Sequence, residues 1–98
     1  INDYLQTYNI SMAFMACTGV TMKSGLTNAS AEEYITKKAI AENANSMILL
    51  ADHSKFGRIS LMTYSPIEKL DAIVTDQPLP EEYDTFCQEH GIRVMTID

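Results

Sequence analysis

Basic residues are scarce in this 98-residue chain: seven Lys and Arg stand against thirteen Asp and Glu, a formal charge of −6. Phosphate neutralisation dominates nucleic-acid affinity, so a chain with this balance does not itself grip DNA. Cysteine is nearly absent. Cys17 and Cys87 lie seventy positions apart with no C-x-x-C spacing, which leaves a disulfide framework or a zinc site nothing to stand on. Both are expected as reduced, partly buried thiols. No apolar run approaches the ~20 residues of a membrane span, and the N-terminus has neither a basic region nor a signal-type apolar core, so a cytoplasmic setting and no membrane partner are expected. Asn9-Ile10-Ser11 and Asn28-Ala29-Ser30 match the glycosylation triplet, a pattern without weight outside a secreted context.

What remains is an ordinary globular composition, 46% hydrophobic and 20% charged. A chain this short is one domain or a piece of one and buries only about 60 to 65% of its unfolded surface. It opens at Ile1 without a Met and runs straight into Asn2-Asp3-Tyr4-Leu5-Gln6-Thr7-Tyr8, which reads as the tail of a preceding element. A fragment is therefore expected, with an exposed apolar edge or face.

The runs Met12 to Cys17, Met47 to Ala51 and Ala72 to Thr75 are apolar without alternation, as in strands covered on both faces. Ile92 to Ile97 reads as a last strand. Ser30 and Glu33 form an S-x-x-E capping box ahead of a helix to about Ala44, with Ile35, Ala39 and Ile40 on its buried stripe. A second helix opens at Leu79-Pro80-Glu81-Glu82, buries Tyr83, Phe86 and Cys87, and stops at Gly91. Gly19 to Asn28 reads as a Gly-bearing loop, Arg58 to Tyr64 as a short extension or edge strand, and Pro66 to Leu70 as one helical turn. Strands alternating with helices predict an α/β fold, a largely parallel sheet with helices on both faces.

In such sheets ligands bind beyond the carboxyl ends of the strands, which directs attention to Thr18 and Gly19, Asp52 to Gly57, and Thr75 with Asp76. The Gly19–Asn28 loop runs into a helix N-terminus, a place that favours anions, although two glycines there also suit a plain turn. Asp52 and Lys55 offer a carboxylate for sugar hydroxyls and an ammonium for a phosphate, or equally a local turn beside a solvated lysine. Glu33 and Lys37 are explained by capping and an i,i+4 attraction, with a binding role as the second choice. His53 and His90 make no convincing metal or catalytic set, and Cys17 in its buried run should be inert.

From Lys37-Lys38-Ala39-Ile40 through Leu49-Leu50-Ala51-Asp52-His53-Ser54-Lys55-Phe56-Gly57 to Ile73-Val74-Thr75-Asp76, the chain resembles the sensor domain of the DeoR family of bacterial sugar-operon repressors. Ala13-Phe14, Gly19 and Gly25-Leu26-Thr27 fit the same pattern, so nearly the whole chain is covered. It departs at Ser11-Met12, where the family pattern leads one to expect Asp-Lys. The resemblance implies a phosphosugar-sensing module that catalyses nothing and needs no cofactor, the C-terminal portion of a sensor domain related in fold to phosphosugar isomerases and CoA transferases. It also implies a winged helix-turn-helix and a first part of the sensor that this sequence lacks, operator DNA bound only through that missing half, and a homo-oligomer. By similarity Asp52 and Lys55 become effector contacts and Gly19, Gly25 and Thr27 line the cavity, with Glu33, Lys37 and Asp76 as a second tier. Two other functions compete. A phosphosugar isomerase would need Asp52 as a base with its pKa tuned towards neutrality, and a pure dimerisation module would bind no ligand.

Overall fold

A computed structural model describes residues 9–97. Four strands, β1 (Ile10–Met15), β4 (Ala44–Leu50), β6 (Ala72–Thr75) and β7 (Arg93–Thr96), form one sheet in the order β1-β4-β6-β7. Every neighbouring pair in it is parallel. Between β1 and β4 the chain builds β2 (Gly19–Thr21), β3 (Gly25–Asn28) and helix α1 (Ala31–Asn43); β5 (Met62–Ser65) lies between β4 and β6, and helix α2 (Glu81–Glu89) between β6 and β7. The segment Asn2–Tyr8, expected as the tail of an earlier element, lies outside the described residues.

The parallel α/β architecture and its four strands match the reading of the sequence to within about three residues at each end. Helix α1 starts where expected: Ser30 Oγ accepts from Glu33 N at 3.3 Å, and Glu32 and Glu33 sit in its first turn. Two of the three residues expected on its buried stripe, Ala39 and Ile40, are on it, and the third is not. Ala39 and Ala41 are buried and Tyr34 and Ile40 pack against the core, whereas Ile35 is exposed. The small alanines let the helix approach the sheet closely, and Ile35 is turned outward. Helix α2 is entered from Pro80, carries Glu81, Glu82 and Asp84 at its positive dipole end, and buries Tyr83 and Cys87.

The stretch expected to be a Gly-bearing loop folds instead as a hairpin. β2 pairs antiparallel with β3, and β3 pairs antiparallel with β5, making a second sheet in the order β2-β3-β5. Two glycines permit it. Gly25 turns the chain with φ +77°, and a Cβ on Gly19 would clash with the Arg58 carbonyl oxygen. Val20, Leu26 and Thr27 are fully buried in this sheet.

The large sheet steps in one direction along the chain, and right-handed crossovers taken in one direction all fall on one face. Ala13, Met15, Met47, Leu49 and Ile73 point to that face and share one core with Ala41, Tyr83 and Cys87. Helices were expected on both faces; among the described residues they pack on this one. The alternate residues Met12, Phe14, Leu50 and Met95 point the other way and are exposed, Phe14 at 62%. An apolar face of this kind on a parallel sheet is normally covered. The 98-residue chain on its own is therefore expected to self-associate, and a single monomeric species across a micromolar range in sedimentation velocity would contradict this.

Candidate functional site

At the carboxyl end of β4 the chain leaves the sheet through Ala51 and Asp52 and turns through a short 3-10 helix, His53–Lys55. Asp52 caps that turn. Its Oδ1 accepts from Ser54 N at 2.8 Å and from the Ser54 hydroxyl. These bonds from Ser54, and then the Lys55 ammonium, hold the Asp52 carboxyl below the usual carboxylate range. An isomerase base would need a shift in the opposite direction. Lys55 Nζ lies 3.5 Å from Asp52 Oδ2 and is about one-third exposed. The far side of the turn is tied to the small sheet, where Phe56 bridges Val20 and Gly57 N donates to Val20 O at 2.9 Å.

Beside it, at the carboxyl end of β1, Lys37 reaches back from α1. Its ammonium donates to Ala16 O and to Asn28 Oδ1, both at 2.9 Å, stands 3.8 Å from Glu33 Oε2, and lies over the Tyr64 ring. Asn28 is buried and completes the set by donating to Glu33 Oε2 at 2.6 Å. Tyr64 also donates its hydroxyl to Ala16 O. Glu33 is thus engaged sideways by Asn28 and Lys37 in addition to its backbone contact with the cap. Burial pushes the neighbouring Cys17 thiol up to about 11, an inert form, while Lys37 and Lys55 both pull it down electrostatically.

The structure divides the residues singled out in the sequence. Asp52 and Lys55 meet in one turn, with Lys37 and Glu33 at the adjacent strand end. Asp76 stands across from them at the end of β6, where it binds His53. Gly19, Gly25 and Thr27 lie away from the cavity and the groove described below. All three are buried in the small sheet, and the Thr27 hydroxyl donates to Gly19 O at 2.8 Å while accepting from Ser60 N at 2.9 Å. Close backbone packing at Gly19 and Gly25 and the two bonds of the Thr27 hydroxyl give them a part in holding the hairpin. Asn28 was missed. It looked like one more polar residue of a loop, and only the fold brings it to Lys37.

A cavity of about 270 Å³ opens between the ends of β4 and β6, with Asp52, Thr75 and Asp76 on its polar side and Leu50, Val74 and Ile97 on its apolar side. A wider groove of about 630 Å³ runs along α2, but its Glu81, Glu82 and Glu89 carboxylates repel anions. Among the described residues no group of three His, Cys, Asp or Glu side chains is placed to hold a metal, and no helix is long and apolar enough to cross a membrane.

This combination, a parallel sheet ending in an Asp-His-Ser-Lys-Phe-Gly turn, defines the class. The chain belongs to the DeoR family, residues 1–77 matching the DeoR C-terminal sensor domain. It is 52% identical over 90 residues to the HTH-type transcriptional regulator IolR of Bacillus subtilis, covering 92% of this chain and 36% of that protein. It is 29% identical over 92 residues to the glycerol-3-phosphate regulon repressor of Escherichia coli, covering 94% and 36%. The L-fucose operon activator of Haemophilus influenzae is 26% identical over 93 residues, covering 94% and 37%. The chain spans little more than a third of the length of these relatives. They are regulators of transcription rather than enzymes, and the matched unit is a sensor.

Proposed function

We propose that the turn after β4 is the anion-recognising part of a phosphosugar-sensing site in a DeoR-type transcriptional regulator. One observation carries this: of the two lysines at the strand ends, Lys37 is held by two close oxygen acceptors, whereas Lys55 has a single ion-pair partner among the described residues, Asp52 at 3.5 Å. Lys55 can turn to a phosphate at small cost, with Asp52 left to accept from sugar hydroxyls. Lys37, Asn28 and Glu33 form the frame beside it, and Gly19, Gly25 and Thr27 support that frame from the small sheet. The E. coli relative, named for a glycerol-3-phosphate regulon, supports a phosphorylated carbon compound as the ligand class.

In the full-length regulator this chain is the C-terminal portion of the sensor. Operator DNA is gripped by a winged helix-turn-helix elsewhere in the polypeptide, which the HTH-type name of the Bacillus relative supports. Effector binding alters that grip, the regulator works as a homo-oligomer in the cytoplasm, and no cofactor takes part. Isothermal titration of the full-length protein with triose, pentose and hexose phosphates is expected to give saturable binding of one class. Operator affinity should change when that class is bound. Conversion of any of these sugars, followed by NMR, would overturn the reading in favour of an isomerase, and the absence of any response would favour a ligand-free dimerisation module.

A further inference from the structure

We infer that Asp76 is a positioning residue: it acts through His53 to hold the Asp52–Lys55 turn against the end of β6. The inference rests on the reading of that turn as the effector loop. It revises the sequence-based expectation, in which Asp76 was a secondary ligand contact.

Both carboxylate oxygens of Asp76 are used by one residue of the neighbouring loop. Oδ1 accepts from His53 N at 2.7 Å, and Oδ2 lies 2.8 Å from His53 Nδ1. This two-point contact fixes the imidazole as well as the backbone, and its hydrogen bonds hold the Asp76 carboxyl below the ordinary carboxylate range. The loop has few other anchors. The ladder between β4 and β6 ends with Ala51 N donating to Val74 O, and the next tie to another strand is Gly57 N to Val20 O. Between them the bonds from Ser54 to Asp52 and from Lys55 N to Asp52 O are internal to the turn. They keep its shape; Phe56, packed against the core and edge-on to the Tyr83 ring, fixes its far end, and the stretch 52–55 between Ala51 and Phe56 is tied to the neighbouring strand through Asp76. Without Asp76 that stretch could swing between Ala51 and Phe56, and Lys55 would swing with it. Side chains of His53 and Asp76 are each about half exposed, so replacing either disturbs no core.

The test uses the full-length protein, amide hydrogen exchange of the segment 53–57, and inorganic phosphate as the ligand. Asp76→Ala and His53→Ala are each expected to speed exchange in that segment by about tenfold while β4 and β6 keep their protection. The double variant should go no further than either single one. Each should weaken phosphate binding by about threefold to tenfold, because ordering the loop then falls to the ligand. Asp76→Asn keeps an acceptor for His53 N and should restore part of the protection. Unchanged exchange in the single variants overturns the inference. So does a loss of phosphate binding in Asp76→Ala that His53→Ala does not share, since Asp76 would then touch the anion's site directly. If the loop loosens in both variants but neither they nor Lys55→Ala alters phosphate binding, the clamp stands and the effector reading of the turn is what fails.

Discussion

Lys55→Ala is expected to weaken binding of the effector sugar phosphate by roughly tenfold to a hundredfold, since a charge-assisted contact to phosphate contributes ~1.5 to 3 kcal/mol. Stability should hardly change. In the free protein the lysine has Asp52 at 3.5 Å as its ion-pair partner and is partly exposed, and such pairs contribute ~0 to 1 kcal/mol. Its backbone keeps its place, because Lys55 N donates to Asp52 O whatever the side chain. Calorimetric titration and urea unfolding of the full-length protein separate the two effects. Parent-like affinity in the variant, or a large fall in unfolding midpoint with normal affinity in the folded fraction, would make Lys55 a structural residue and remove it from the site.

Leu49→Ala should do the reverse. Leu49 lies in the second strand of the sheet, in register with Met15 on one side and Ile73 on the other, and none of its surface is exposed. Truncating it removes the transfer energy of its side chain and opens a cavity between two strands and the helices above, a loss of ~2 to 5 kcal/mol. For a domain stable by ~5 to 15 kcal/mol that is a large fraction. The urea midpoint should fall by ~1 M or more, given typical slopes of ~1 to 3 kcal/mol/M. The turn that follows is pinned to the small sheet through Gly57 and to β6 through Asp76, so the molecules that remain folded should bind sugar phosphate as the parent does. A midpoint within ~0.3 M of the parent would mean that the surroundings of Leu49 collapse around the truncation and leave no cavity.

Much of this arrangement was legible in the sequence where signals were local and strong. Unalternating runs marked β1, β4 and β6, and the Ser30 cap and Gly91 stop bounded the helices. The Asp52–Lys55 turn stood out for its position after the best apolar run. Of the small sheet only β5 was legible, Met62–Ser65 overlapping the stretch Arg58 to Tyr64 read as a short extension or edge strand. β2 is three residues long and β3 carries Thr27 and Asn28 inward, so the period that betrays a strand never develops there. The outward turn of Ile35 depends on which side of α1 meets the sheet, a matter of packing rather than composition. Partners distant in sequence escaped altogether. Lys37 meets Ala16 across 21 positions and His53 meets Asp76 across 23, separations that only a folded chain closes.

The large sheet's order, β1-β4-β6-β7, repeats the order in which its residues are synthesised. Among the described strands each adds to the edge left by the one before, and none of them is inserted between two already paired. Chains generally assemble from the N-terminal side during translation, and these four strands can be laid down by accretion as they leave the ribosome. When β4 docks on β1, the Asp52–Lys55 turn already has the means to shape itself. Its position waits for β6, whose last act is to deliver Asp76. On the function and the clamp proposed above, the loop is thus shaped early and set in place late, and a nascent chain that stops short of residue 76 carries Lys55 without the Asp76 contact to His53.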